Sequence, residues 1–450
     1  MNSLPLFSEI DPDANFAHRH GAWISRGQFH AAVLTLAAAL PERARVLNMC
    51  HDRYWFAVSL FAAIARGSLT VLPNSAAPEH LAAVAAEQTD LLVLGDQDAP
   101  PVAHLPYFRV DTVAAPPAPA GTPIPMIPFD QRVACVYTSG TTGTPTPHYK
   151  TFGRLRLAVL AGAERLWHAA GAPCSVVGTS PIRHMYGLEA SVLLPLFAGG
   201  RLSAQIPFFP LDIAASLAEV PAPRLLAITP FHLRKLLEAD IALPPVAAIL
   251  SATAPLSREL AREAEHRLGC PVIEIYGSTE TGQLAMRAPC RDDVWQCLGA
   301  TTLETHEGET WAHGPAYPTP QMLNDMIALL SPTTFRLLDR KANMVNVAGK
   351  RSSLSFLNAT LAALPGVEDA VFCVPPGGTD TDVGRLAAFV VAPTLDRKTI
   401  LTGLRAHLDP VFLPRPIVFV PALPRDGNGK ILARTLSALI DQHLGGRKRP

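Results

Sequence analysis

The chain has 450 residues, 48% of them hydrophobic and 17% charged, with 38 Lys plus Arg against 38 Asp plus Glu. That length calls for two or three domains, and the composition excludes disorder over most of the chain. A formal net charge of zero excludes a wholesale polyanion binder, so no nucleic-acid partner is expected.

In chain order, Gln28 to Leu40 has helical periodicity and stops at Pro41, and Arg45 to Met49 reads as a short strand. Trp55 to Ala65 reads as helix, Ser68 to Leu72 as strand, His80 to Glu87 as helix, and Leu91 to Leu94 as a strand ending at Gly95. This alternation predicts β-α-β units on a parallel sheet. Pro116 to Pro128, rich in Pro, Ala and Gly, reads as a loop connecting two lobes. A second alternating region follows, with strands at Val133 to Tyr137, Ala247 to Leu250 and Pro271 to Ile275. Between the last two, Ser257 caps a helix to Leu268, with Leu256, Leu260, Ala264 and Leu268 on one side and Gly269 as its C-cap. The last hundred residues carry short strands at Ala370 to Val374 and Ala387 to Val391, helical stretches, and a Gly-rich loop near Gly427, the pattern of a small α+β domain.

The seven cysteines, Cys50, Cys135, Cys174, Cys270, Cys290, Cys297 and Cys373, form no C-x-x-C and read as reduced, mostly buried thiols of a cytoplasmic protein. Met1 to Pro5 shows no basic region followed by an apolar run, so no signal peptide is expected. The longest apolar stretch, Tyr54 to Ala65, falls short of the roughly 20 residues of a membrane span. The basic tail Arg447-Lys448-Arg449 reads as a solvated end.

Four segments carry chemistry. Tyr137-Thr138-Ser139-Gly140-Thr141-Thr142-Gly143-Thr144-Pro145 takes a strand into a loop of glycines and hydroxyls, which lets several backbone N–H groups face one phosphate chain. It lacks the Gly-Lys-Ser/Thr of a Walker loop. Tyr276-Gly277-Ser278-Thr279-Glu280 puts a carboxylate after a strand, where Mg²⁺ would find an oxygen ligand. Arg340 is followed by Val347-Ala348-Gly349-Lys350-Arg351, and Leu423 to Lys430 ends in a glycine-flanked lysine suited to delivering a cation to developing negative charge. Each segment alone could also be an ordinary surface turn.

Together, and in this order, they resemble the adenylate-forming superfamily of acyl-CoA synthetases, luciferases and peptide-synthetase adenylation domains. Pro181-Ile182-Arg183-His184-Met185-Tyr186-Gly187 is similar to that family's P-x-x-H-x-x-G motif, and Ser251-Ala252-Thr253-Ala254-Pro255-Leu256 to its S-G-G-A-P-L segment. The resemblance covers nearly the whole chain. It implies an α/β fold: a large N-terminal adenylation domain of parallel-sheet lobes, residues 1–339, and a small mobile α+β lid, residues 340–450. It implies that Thr138, Ser139, Gly140, Thr141, Thr142 and Gly143 embrace the phosphates of ATP, and that Thr253, Ala254 and Pro255 pack on adenine. In the Tyr276, Gly277, Ser278, Thr279 stretch, Thr279 touches the α-phosphate, and Glu280 holds Mg²⁺. Asp325 and Arg340 bind the ribose. Lys430 bridges the acid and the nucleotide during adenylation. His184, Tyr186, Ser251 and Gly277 line the acyl pocket, and Gly349 and Arg351 serve the thiol.

The implied reaction attacks the α-phosphate of MgATP with a carboxylate, releases pyrophosphate, and passes the acyl group from acyl-AMP to coenzyme A or to the phosphopantetheine of an acyl carrier protein. Between the steps the C-terminal domain pivots near Arg340 to Ala342. Several positions depart from the family pattern. The usual phosphate-loop lysine is Thr146, with His148 and Lys150 nearby to replace it. Leu323, Asn324, Asp339 and Ala342 stand where the family has threonine, glycine, glycine and an acid. The short chain and the Thr146-Pro147-His148-Tyr149-Lys150 variant look like the small bacterial synthetases of aryl-polyene pathways, which points to an aromatic acid such as a hydroxybenzoate or hydroxycinnamate. A medium-chain fatty acid is the alternative. A reading of a different class, a non-catalytic binder of nucleotide or acyl-adenylate, rests on those departures and is opposed by Lys430, Glu280, Arg340 and Asp325.

Overall fold

A computed structural model describes residues 3–8, 11–42, 45–73, 75–100, 102, 104–113, 123–138, 146–340, 344–347, 350–374, 385–425, 431 and 433–444, without the side chains of residues 339, 340, 344, 346, 351, 353, 433 and 434. The chain divides into two compact units. The first holds Met1–Leu303, Ala312–Gln321 and Ser331–Thr334; the second holds Glu304–Trp311, Met322–Leu330 and Phe335–Pro450.

The first unit is built on two sheets. One runs in the order Thr146–Thr151, Arg132–Thr138, Leu69–Leu72, Arg45–Asn48, Leu91–Gly95, Tyr107–Arg109, all parallel except the antiparallel edge Thr146–Thr151. The helices between its strands are those that the periodicity predicts. Arg26–Ala39 starts at a capping box in which Ser25 and Gln28 satisfy each other's backbone N–H groups. Arg53–Ala65 is capped by Asp52, and most of its circumference is buried. Part of the expected connecting loop is instead a strand: Met126–Pro128 pairs antiparallel with Ser3–Pro5. Proline is tolerated there because this two-stranded ribbon has open edges that need no donor.

The other sheet has a parallel run in the order Arg201–Ser203, Ser175–Gly178, Arg224–Ile228, Ala248–Ser251, Val272–Ser278. It then turns antiparallel through the hairpin from Val272–Ser278 to Gly282–Arg287. Arg53, fully buried, ties the two layers together by donating to the carbonyls of Gly178, Ser203 and Gln205 at 2.6, 2.6 and 2.7 Å. Buried guanidinium groups are stable only with such satisfaction. Ser257 caps the helix Arg258–Leu268, and Gly269 ends it in the left-handed conformation, both as predicted.

The second unit is α+β, as its pattern implies. Asp369–Cys373 pairs antiparallel with Ala387–Val391, which runs parallel to Ile417–Phe419. Helices Leu354–Ala362 and Arg397–Arg405 bury Leu357, Leu361, Ile400 and Leu404 against Phe372, Ala388 and Val390. All seven cysteines are free, and six are buried. Among the described residues no helix is long and apolar enough to cross a membrane.

Candidate active site

In open α/β sheets, ligands gather outside the carboxyl ends of the parallel strands. Here two strands that flank Arg224–Ile228 end in hydroxyl residues. Thr179 and Ser180 follow Ser175–Gly178, Ser251 ends Ala248–Ser251, and Thr253 lies two residues on. The hydroxyl oxygens of all four are buried without a hydrogen-bond partner among the described residues. Native interiors satisfy nearly all such atoms, so a row of four marks a place built for a polar ligand. Thr253 adds strain: it is β-branched, yet has a φ of +79°.

The short helix Met185–Leu188 is fixed over this edge. His184 is its N-cap, with Nδ1 accepting from the Tyr186 N–H at 3.4 Å. The Tyr186 hydroxyl donates to the Leu250 carbonyl at 2.7 Å and is 3.3 Å from that of Ile228. This phenol is therefore engaged in anchoring the helix to two strand ends, and burial pushes its pKa up.

The loop after Ser251 is braced from below. Glu274, nearly fully buried, accepts from the Leu256 N–H at 2.8 Å and from Arg287 Nε at 2.7 Å. Arg287 lies 4.8 Å over the ring of Trp295, whose centroid is 5.6 Å from that of Tyr276. Burial raises the Glu274 carboxyl pKa, against the opposing pull of Arg287 and the Leu256 N–H. Ala254 and Pro255 are left exposed at the loop tip.

Glu280 occupies the turn of the hairpin between Val272–Ser278 and Gly282–Arg287. Ser278 and Thr281 hold that turn by mutual backbone and hydroxyl bonds of 3.0 to 3.2 Å. Thr279 is half-buried within it. Gly277 is demanded by packing, since a Cβ there would lie 2.1 Å from the Gly282 carbonyl oxygen.

The edge strand Thr146–Thr151 brings two further groups to the same turn. His148 Nε2 is 3.1 Å from Thr138 Oγ1 and 3.7 Å from Glu280 Oε1. The Lys150 ammonium donates to the Glu280 carbonyl at 2.8 Å. Burial acts to raise the Glu280 carboxyl, but its own backbone N–H, Ser278, His148 and Lys150 hold it below the usual carboxylate range. Burial lowers His148, against the pull of Glu280. Burial also lowers Lys150, with Glu189 and Glu280 opposing. A cavity of about 480 Å³ opens here, lined among others by His148, Lys150, Met185, Glu189, Glu280 and Gly282.

Thr138, His184, Ser251, Thr253 and Glu280 thus belong to one unit, with Thr138 and Glu280 joined through His148. Asp325 begins the strand Asp325–Ser331 of the second unit, and Arg340 ends Thr334–Arg340. Ser139, Gly140, Thr141, Thr142, Gly143, Gly349, Lys430 and Ala342 lie outside the described residues, as do the side chains of Arg340 and Arg351. Glu189 lines the cavity although the motifs do not point to it. Its signal was a lone carboxylate inside the apolar run from Met185 to Phe197.

Residues 8–305 match the AMP-binding enzyme family, and residues 357–430 match the AMP-binding enzyme C-terminal domain. The chain is 30% identical over 300 residues to a 4-coumarate–CoA ligase of Rhodobacter capsulatus, covering 65% of this chain and 73% of that one. It is 25% identical over 348 residues to an indoleacetate–CoA ligase of Aromatoleum aromaticum, covering 68% and 66%. Its fold superposes on o-succinylbenzoate coenzyme A synthetase from Bacillus subtilis in complex with AMP, with a TM-score of 0.82 at 19% identity over 97% of this chain and 98% of that one. ATP-bound MatB from Rhodopseudomonas palustris gives a TM-score of 0.81 at 20% identity over 97% of each chain. The chain belongs to the AMP-binding enzyme family. Its activity is that of an AMP-forming acid–thiol ligase, which activates a carboxylic acid with ATP and forms a thioester.

Proposed function

We propose that this ligase acts in the cytoplasm on an aromatic acid of the hydroxybenzoate or hydroxycinnamate kind, with coenzyme A as the thiol. The observation that carries the reading is the meeting of Glu280, His148, Thr138 and Lys150 at one hairpin turn, beside a cavity of about 480 Å³. That volume lies in the range of small-molecule sites, about 300–1,000 Å³. The ligases it resembles in sequence include ones named for coumarate and indoleacetate.

The residues suit a magnesium nucleotide. Mg²⁺ takes oxygen ligands and shares itself between one or two carboxylates and substrate phosphates. Glu280 offers a carboxylate held in its ionised form, and the Thr138 hydroxyl stands on the other side of His148. When bound, the ion neutralises phosphate charge. The protein's own work is positioning. Thr138 and the loop after it, Ser139 to Gly143, hold the phosphates. The Ser251-to-Pro255 loop, stiffened through Glu274 and Arg287, presents Thr253, Ala254 and Pro255 to the base. Thr279 faces the α-phosphate, and Asp325 with Arg340 takes the ribose. His184, with Ser251 and Gly277, borders the acid. Tyr186 acts through the backbone it anchors. Lys430 then supplies the cation for attack of the carboxylate on the α-phosphate. Residues 340–450 act as a lid whose pivot brings Gly349 and Arg351 to the thiol for the second step.

Pyrophosphate release from MgATP, measured over a panel of acids, tests this. Aromatic hydroxy acids should lead the panel, and coenzyme A should convert their adenylates to thioesters detectable by mass. Faster turnover of medium-chain fatty acids would refute the substrate class. Thioester on a phosphopantetheinylated carrier protein but not on coenzyme A would refute the acceptor.

A further inference from the structure

Glu189 stands at the start of a single π-helical stretch, Glu189–Leu193, a distortion found mostly at functional sites. The residue is only 5% exposed. The Gln283 backbone N–H serves its carboxylate, and Lys150 lies within electrostatic reach, but among the described residues Oε1 has no hydrogen-bond partner. The Lys150 ammonium is turned to the Glu280 carbonyl instead. Opposite, Gly282 has a φ of +68°, and a Cβ there would lie 2.8 Å from Glu189 Oε1. A glycine at this point removes the side chain that would collide with the unpartnered oxygen, and both residues line the same cavity. Leu155, Ala158 and Met185 supply apolar wall to the same cavity. A mostly apolar pocket with one unspent acceptor fixes the orientation of a ligand that brings a donor.

We propose that Glu189 is a specificity-determining residue of this ligase, its Oε1 accepting a hydrogen bond from a hydroxyl or amino group on the ring of the aromatic acid. The assignment rests on the proposed acid-activating role of this cavity. The donor on the ring faces Glu189. An acceptor oxygen has nothing to offer a second carboxylate, so dicarboxylic acids are disfavoured along with unsubstituted ones. A site that hydrogen-bonds a substrate donor discriminates against the analogue lacking it far better than an apolar pocket discriminates by size, because the buried acceptor is then left bare.

The test is kcat/KM for pyrophosphate release on matched pairs: 4-hydroxybenzoate against benzoate, 4-hydroxycinnamate against cinnamate. Addition of 4-aminobenzoate separates hydroxyl from amine. The native enzyme should favour the donor-bearing acid at least about tenfold. Glu189→Met should bring the ratio to near one, and Glu189→Gln, which keeps an acceptor oxygen, should retain much of it. Each ratio is taken within one variant, so it does not depend on the fraction of protein that folds. Turnover with no donor preference in the native enzyme, or a preference that survives Glu189→Met, overturns this assignment alone. Pyrophosphate release with none of the acids overturns the cavity's proposed role in activating them as well.

Discussion

Lys150 is the residue whose loss should disturb this site most. Its ammonium supplies the charge opposite Glu189 and the donor for the Glu280 carbonyl at 2.8 Å. In Lys150→Met the apolar stem is kept, and both services are withdrawn. Lys150 and Glu189 sense each other without a direct ion pair, so the cost of about 3–5 kcal/mol for breaking a buried contact pair is an upper bound on the loss. The first unit has about 300 residues. At an unfolding entropy of about 2.1 cal/mol/K per residue, a loss of that size lowers its melting temperature by at most roughly 5–8 °C. The cost should depend on pH with a definite sign. Burial already raises the Glu189 carboxyl pKa above its ordinary value, with Lys150 as the main opposing influence, so removing Lys150 raises it further. A carboxyl whose pKa is higher folded than unfolded loses stability as pH rises through that interval. Lys150→Met should therefore be hurt more at pH 8 than at pH 5.5.

The double variant Lys150→Met/Glu189→Gln removes both charges, and replaced buried pairs are often neutral in stability. Thermal melts of the native chain, both single variants and the double variant form a cycle. Its coupling energy should be at least about 1.5 kcal/mol, with the double variant more stable than Lys150→Met alone. Additive losses, or a Lys150→Met melt that ignores pH, would show that Lys150 and Glu189 do not sense each other.

Glu280→Gln should keep the fold and weaken the Mg²⁺ dependence of pyrophosphate release; an unchanged Mg²⁺ titration would make Glu280 a mere turn residue. Lys430→Ala should cut adenylation by at least about 10²–10³ while sparing thioester formation from supplied acyl-adenylate, as separate assays of the two half-reactions will tell. Ala342→Pro fixes φ near about −65° and should preserve first-turnover pyrophosphate release while slowing transfer to the thiol; equal slowing of both steps would put the pivot elsewhere. Burial holds the His232 imidazole down to about 4. The unfolded chain therefore gains a proton there from about pH 6.5 downward while the folded chain resists, and stability should fall by at most about 3 kcal/mol between pH 6.5 and 4. His232→Gln should flatten that slope in pH-dependent melts, and an unaltered slope would assign the acid sensitivity to other groups.

Much of the first unit was legible because its signals are local. Ser25 and Ser257 announce helix starts, Gly269 announces an end, and apolar strands such as Leu91–Gly95 are fully buried. The Pro-rich stretch misled at Met126–Pro128, because pairing with Ser3–Pro5 depends on a partner more than a hundred residues away. In the candidate site, Thr138 and Glu280 stood out in the sequence because one ends a strand and the other lies in the turn just after one. Glu189 could not be assigned, since its counter-charge and its vacated neighbour come from Lys150 and Gly282, distant in sequence. The π-helical turn has no composition signal of its own. Tyr186 was expected at the acid, yet its hydroxyl is engaged by two backbone carbonyls that only the sheet order brings together.

The departure at Thr146 shows how a missing residue and an added one are connected. Side chains two apart on a strand share a face. Thr146, His148 and Lys150 therefore stand on one side of the edge strand, and Tyr149 with Pro147 on the other. The cation expected at the first of these positions is absent, while the third carries one and the second an imidazole. The antiparallel pairing of Thr146 with Thr138 and of His148 with Val136 fixes where that face meets the hairpin turn. Moving a lysine by two strand periods shifts its place about 14 Å along the strand, at roughly 3.4 Å per residue. Such a shift sets the charge at the Glu280 carbonyl, within electrostatic reach of the buried Glu189 carboxylate. Lys150 and Glu189 therefore offset part of each other's burial, with Glu280 sharing the lysine, and Glu189 keeps one acceptor oxygen for a ligand to fill.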